Sequence, residues 1–331
     1  MGLFKSFSLI GVTALSLGLG ACQKAEQKEL AASAAEKETA VKTLSIGFQK
    51  SSLNLLVTRE QKLLEQEFPN SKIEWREFPA GPQMLEALAV GAVDFGAVGN
   101  TPPIFAQAAN KALNYAAYEV YPNTSLGLVL ADHSKITELS QLKGKRVALQ
   151  KGSSAHEFLA KVLQQAGISW QEIQPIWLPP ADARAAFDQG AVDAWVIWDP
   201  YLSAIELNGH VKVLIDGRAF PKTYAYYISN PKFTAAHPQA VAKIIQSLNH
   251  ADQWILNHQA AAVDLYGKST GLSHDVAKRA LDRRLKPSPI HPVNADVIQS
   301  QQSIADLFYA EKLIPKKIKI QDAVLTPVTN K

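Results

Sequence analysis

Cysteine is almost missing from these 331 residues: it occurs once, at Cys22. A single thiol excludes an internal disulfide framework and any CxxC metal or redox motif, and it leaves the chain beyond residue 22 without a catalytic thiol. Blocks of one charge are missing as well. The 34 Lys and Arg and the 30 Asp and Glu are spread along the chain for a formal charge of +4, which gives no footprint for a polyanionic nucleic acid. No GxSxG, HExxH, GxxxxGK[ST] or GxGxxG occurs, and the eight histidines lie scattered without ligand spacing, so hydrolase, metalloprotease and nucleotide-binding signatures are all absent. No apolar run is long enough to span a bilayer at about 20 residues. What is present is 47% hydrophobic content and length enough for about two domains at ~100–200 residues each.

The first 22 residues, MGLFKSFSLIGVTALSLGLGAC, place one basic residue, Lys5, before an apolar stretch from Phe7 to Leu19. That is the layout of an export signal. Leu19-Gly20-Ala21-Cys22 resembles a bacterial lipobox, in which the cysteine is lipidated and becomes the mature N-terminus; an ordinary cleavage site beside a cysteine is the alternative. Met1-Gly2 with Ser6 also fits a myristoylation pattern, but the apolar run behind it favours export. Residues 23–42, rich in Ala, Glu and Lys without a large apolar face, read as a tether between membrane and folded body.

From residue 43 to about 230, short β-rich runs alternate with helical stretches, the pattern of α/β units with a largely parallel sheet. Strand candidates are 43–48, 93–98, 146–150, 174–178, 192–197 and 211–215; a helix is expected over 53–67 and another after Ser154, closed by Gly167 as its C′ residue. The informative places are the junctions, Gln49-Lys50-Ser51-Ser52, Asn100-Thr101-Pro102, Gly152-Ser153-Ser154 and Trp198-Asp199-Pro200. Helix N-termini carry unpaired N–H groups and a positive dipole end, so a turn of Ser, Thr or Gly there either caps the helix or holds an anion. Capping explains Ser153, Thr101 or Asp199 taken singly. Convergence outside the C-terminal ends of strands, where open α/β sheets bind ligands, favours a small-anion cradle for the set. The extended segments 125–130 and 224–229 bracket a block with its own strands, a domain inserted in another and joined by two strands. This divides the chain into a first lobe of 43–125 with 224–331 and a second of 126–223. The stretch 231–312 is mostly helical by periodicity.

FPAGPQMLEAL (78–88), VDFGAVGNTPPIFAQAA (93–109), QKGSSAHEFL (150–159), PADARAAFDQGAVDAWVIWDPY (180–201) and PVNADV (292–297) together resemble the aliphatic sulfonate-binding proteins, the extracytoplasmic receptors of ABC importers. Related receptors for taurine, nitrate and thiamine precursors are similar, and some relatives are enzymes of pyrimidine biosynthesis. The resemblance implies an α/β, two-lobed periplasmic-binding-protein fold of type II, with two open sheets, flanking helices and a two-strand hinge. It further implies a monomer that needs no cofactor or metal, is anchored through Cys22, and passes a sulfonate to a membrane permease. A sulfonate is a permanent monoanion with three acceptor oxygens, so it wants N–H and O–H donors. Gln49, Ser51, Asn100, Thr101, Ser153 and Ser154 are the expected donors, with His156 as a further one. Trp198 and Tyr201 are the expected wall for the aliphatic tail, whereas Trp177 and Trp195 read as core. Asp199 is an N-cap or the partner of a substrate amine. Lys50 and Lys151 read as solvated turn tips. Arg184 and Asp188, four apart, read as a surface pair.

Overall fold

The computed structural model describes residues 40–325; the export signal, Cys22 and most of the tether lie outside the described residues. The first half-sheet is built as βα units. Strand β1 (Thr43–Phe48) is buried from Leu44 onward, as a strand covered on both faces must be. It leads into α1 (Leu53–Glu60) and α2 (Leu63–Glu67). The single helix expected over 53–67 is broken because Lys62 adopts a left-handed conformation, φ 53°, which turns Leu64 fully into the core. Strand β2 (Lys72–Glu77) follows, then α3 (Gly81–Ala89), β3 (Phe95–Val98), α4 (Thr101–Ala108) and β4 (Asn114–Tyr121).

The chain then enters a second sheet through β5 (Leu126–Ala131), β6 (Arg146–Leu149), α5 (Ser154–Ala166), β7 (Gln174–Trp177), α6 (Pro180–Asp188), β8 (Ala194–Trp198), α7 (Tyr201–Asn208) and β9 (Val211–Asp216). It returns to the first sheet with β10 (Thr223–Ser229). The helices α8 (Pro231–Ala236), α9 (Pro238–Asn257), α10 (Gln259–Thr270), α11 (His274–Arg283) and α12 (Ala295–Ala310) complete it. The first sheet runs β2-β1-β3-β10-β4 and the second β7-β6-β8-β5-β9. In each, three strands are parallel and the strand next to them is antiparallel, β10 in one and β5 in the other. Two mixed α/β sheets joined by two crossings, β4 to β5 and β9 to β10, give the type II periplasmic-binding-protein architecture.

Local chemistry explains the punctuation. Helix α5 ends on Gly167 in the left-handed conformation, φ 65°, where a side chain would be strained. Arg184 and Asp188 pair at 2.6 Å on α6. Strand β2 is a sheet edge, and its Glu74 pairs with Lys72 and Arg76, each at 2.8 Å; charge on an edge discourages a further strand from adding there. The two connections between the sheets touch, since a Cβ at Gly217 would meet the Asn123 carbonyl at 2.2 Å. One apolar cluster packs α1, α9 and α10 under the first sheet. A second is continuous from the first sheet through α4 and α12 into the second.

Candidate functional site

The C-terminal ends of β1 and β3 and the start of α5 surround one small cavity, about 50 Å³ and so large enough for a few waters or one compact headgroup. From the first sheet its walls are Gln49, Ser51, Ser52, Gly81, Ala97, Val98, Gly99, Pro102, Glu119, Tyr121 and Ala225; from the second they are Ser153, Ser154 and Trp198. The sheets meet here: a Cβ at Gly99 would lie 1.9 Å from Ser154 Oγ. Only a residue without a side chain lets the two turns approach this closely.

Five of the expected residues, Gln49, Ser51, Ser153, Ser154 and Trp198, line this cavity. Gln49 is fixed by donating its Nε2–H to the Ala97 carbonyl at 2.7 Å, and its backbone N–H goes to Ser52 Oγ at 3.2 Å. Ser153 occupies the N-cap position of α5 but its side chain does not cap; Oγ donates to the Gln150 carbonyl at 2.8 Å. The His156 N–H pairs with the Ser153 carbonyl at 2.9 Å, which leaves the N–H groups of Ser154 and Ala155 with the unpaired character of a free helix start.

Asn100 and Thr101 begin α4 beside the cavity, and their side chains turn inward among themselves. Asn100 Nδ2 donates to Thr223 Oγ1 at 2.8 Å and Thr101 Oγ1 donates to Asn100 Oδ1 at 3.0 Å, while Gln301 from α12 donates to the Asn100 carbonyl. Both residues are buried, so what this turn can present is backbone N–H. Thr101 is a first helical residue rather than a cap, because Asn100 holds the N-cap position.

His156 lies in the first turn of α5, away from the cavity walls and 1% exposed. Its Nδ1 accepts the Gly152 N–H at 3.2 Å, and its ring packs against Phe105, Trp170, Trp177 and Phe308 with centroids 4.9–5.4 Å away. Burial, with Lys151 adding to it, pushes its pKa down to about 3. Trp195 is core, and Trp177, expected in the core, is 38% exposed. Tyr201 stands edge-on to Trp198 at 6.2 Å, behind the wall rather than on it; burial raises its phenol pKa.

Among the described residues no lysine or arginine lines the cavity. Lys50 donates to the Thr270 carbonyl at 2.7 Å, and Lys151 stands over the Trp177 ring at 5.8 Å. Asp199 sits near the start of α7 with Oδ1 accepting the Ser203 N–H at 2.8 Å and its hydroxyl at 2.6 Å, and it also faces Arg283 at 3.4 Å. Burial raises its pKa, opposed by Arg283 and Ser203. Sequence reasoning did not find Glu119, Tyr121 or Ala225. Pairing of β4 with β10 sets Ala225 opposite Glu119 and Thr223 opposite Tyr121. The available signal was Glu119 itself, the one charged residue in the strand NYAAYEVY.

Residues 76–262 match the model of the NMT1/THI5-like family. The alkanesulfonate-binding protein SsuA from Xanthomonas axonopodis pv. citri, solved bound to MOPS, is similar with 41% identity and a TM-score of 0.84 over 87% of this chain and 99% of its own. The periplasmic aliphatic sulphonate binding protein SsuA from Escherichia coli is similar with 43% identity and a TM-score of 0.80 over 88% of this chain and 94% of its own. The chain thus belongs to the NMT1/THI5-like family and, within it, groups with the aliphatic sulfonate-binding proteins.

Proposed function

We propose that this protein is an extracytoplasmic receptor that binds an aliphatic sulfonate between its two sheets and delivers it to the permease of an ABC importer. The observation that carries the reading is the meeting of two strand-to-helix turns, one from each sheet, on a cavity lined by Gln49, Ser51, Ser153, Ser154 and Trp198. Hydroxyls, an amide and free helix N–H groups suit a permanent anion, and the lack of a lysine or arginine on the wall suits a cargo that must be released. Trp198 offers apolar area to an alkyl segment. Two relatives at 41% and 43% identity are named as sulfonate-binding proteins, one of them solved bound to MOPS.

In this reading residues 43–125 with 224–331 form one lobe and 126–223 the other, and closure assembles the site. Asn100 and Thr101 contribute backbone N–H, and Tyr201 supports Trp198. His156 acts through packing of the α5 start. Cys22 carries the lipid anchor of a monomeric receptor, which mass measurement of the mature N-terminus checks; an unmodified Cys22 would remove the anchor and leave the receptor.

Calorimetry on protein freed of co-purified ligand tests the cargo. Ethanesulfonate, octanesulfonate and MOPS are expected to bind saturably while sulfate and nitrate stay silent. The double variant Ser51→Ala, Ser153→Ala is expected to weaken sulfonate binding about tenfold, the worth of one or two hydrogen bonds. Silence from every sulfonate with binding of nitrate would discard the cargo, and turnover of a ligand would discard the receptor.

A further inference from the structure

The charges behind the cavity do not cancel. Arg284, 12% exposed, directs Nη2 to Asp252 Oδ1 and to Asn54 Oδ1, both at 2.9 Å. Asp252 is itself 1% exposed and also accepts the Ser288 backbone N–H at 3.1 Å. Glu119 stands 3.8 Å from the same guanidinium, outside hydrogen-bond range. Its carboxylate accepts instead from three neutral donors: Tyr227 O–H at 3.2 Å, Asn54 Nδ2–H at 3.2 Å and Ser288 O–H at 3.1 Å. Among the described residues Arg284 is the one cation within 4 Å of Glu119. A single guanidinium thus serves two carboxylates and is committed to the other one.

The neighbouring ionic group on α7 and α11 is different. Arg279 and Arg283 face Glu206 and Asp199, two cations for two anions, with Arg283 at 2.5 Å from Glu206 and 3.4 Å from Asp199. Asp199 is therefore compensated within the protein and has no need of a substrate amine. Glu119 has only a share of Arg284, which Asp252 also claims, and burial raises its pKa against the pull of Arg284, Ser288 and Tyr227. Among the described residues it is also the one ionisable carboxylate on the cavity wall, which it shares with Ser153 and Ser154. With Ser51 and Tyr121 it borders an adjoining cavity as well, whose wall includes Leu53 and Tyr266 together with Asp199 and Arg284, each already facing a partner within the protein. A cargo longer than its headgroup has space to reach it.

Resting on the sulfonate reading above, we propose that Glu119 determines specificity by pairing with a cationic nitrogen of the cargo, so that the favoured ligand class is sulfonates bearing a protonated amine. The sulfonate faces the helix starts of α4 and α5. The ammonium meets Glu119 and cancels the excess negative charge left by the Arg284 group. A plain alkanesulfonate places a methyl group there and leaves the carboxylate with only its share of Arg284.

The test is a pair of ligands of equal length and shape, 3-aminopropane-1-sulfonate and butane-1-sulfonate, measured by calorimetry. The wild-type protein is expected to prefer the amine by at least about tenfold, since a desolvated charge pair is at stake. In Glu119→Gln the ratio of the two affinities is expected to fall to near one. Equal affinities in the wild type would overturn the proposal without any variant, as would a Glu119→Gln protein that weakens both ligands by the same factor, the mark of a structural role. Failure of both ligands to bind the wild type would instead sink the sulfonate reading on which it rests.

Discussion

His156 shows how far a residue's role depends on what surrounds it. In sequence it is a donor in the first turn of a helix that starts at the site; in the fold it is enclosed by four aromatic rings. Because Nδ1 accepts the Gly152 N–H, the ring proton belongs on Nε2, which has no partner. The neutral imidazole is the only form that the folded state accommodates at ordinary pH. An unfolded histidine titrates near ~6.5, whereas folding holds this one at about 3. Below pH ~6.5 the unfolded chain therefore takes up a proton that the folded chain refuses, and stability falls as pH drops toward 3. Between pH 6 and 4.5 the wild type is expected to lose about 2 kcal/mol more than His156→Gln. Urea unfolding of both proteins at the two pH values checks this, and parallel losses would contradict it. Glu119 makes the complementary point. Its presence in an otherwise uncharged strand was visible, but the partners that leave it only partly compensated come from residues 54, 227 and 284–288, brought together only by the fold.

At the scale of elements, the strands flanking the functional turns were legible because buried parallel strands read as short apolar runs bounded by Gly, Ser and Pro. β1 begins and ends at the expected residues, β6 and β7 each end one residue earlier than expected, and Gly167 closes α5 as expected. Strands β2 and β4 carry no such signal. Both are sheet edges, and KIEWRE in particular carries charge at alternate positions, which the periodicity of a covered strand does not contain. Nor could sequence bring α11 to α7 and the turn before it, where Arg279 and Arg283 meet Glu206 and Asp199 across 73 or more residues of chain. Arg283 is 17% and Asp199 8% exposed, so removing the guanidinium leaves a buried carboxylate facing little but neutral donors. Arg283→Ala is expected to lower stability by about 3 kcal/mol. Chemical denaturation measures it; a loss within a few tenths of that for an exposed pair such as Arg184 with Asp188 would show that the clamp is solvated.

Over the whole molecule, the decisive contact is the one between Gly99 and Ser154, where the two sheets meet on one small cavity. Gly99→Ala places a methyl group 1.9 Å from Ser154 Oγ, so the two turns must part. Ligand binding stabilises a folded protein by mass action, about 2.7 kcal/mol at a hundred times Kd. Thermal unfolding of the wild type is expected to show a shift of that origin with a bound sulfonate. Gly99→Ala is expected to unfold near the wild-type temperature without ligand and to lose most of the ligand shift. A full shift in the variant would place the anion elsewhere.

The sequence by itself determined the class of fold and the chemistry available, because strand and helix periodicity, capping residues and the choice of neutral donors are local properties of consecutive residues. Tertiary structure decided which of those donors face the cavity, turning Asn100 and Thr101 inward and shutting His156 away. It also decided where charge is left over, at Glu119 rather than Asp199. Burial, partner geometry and the sum of charges around a group are set by residues far apart in the chain, and no local pattern encodes them.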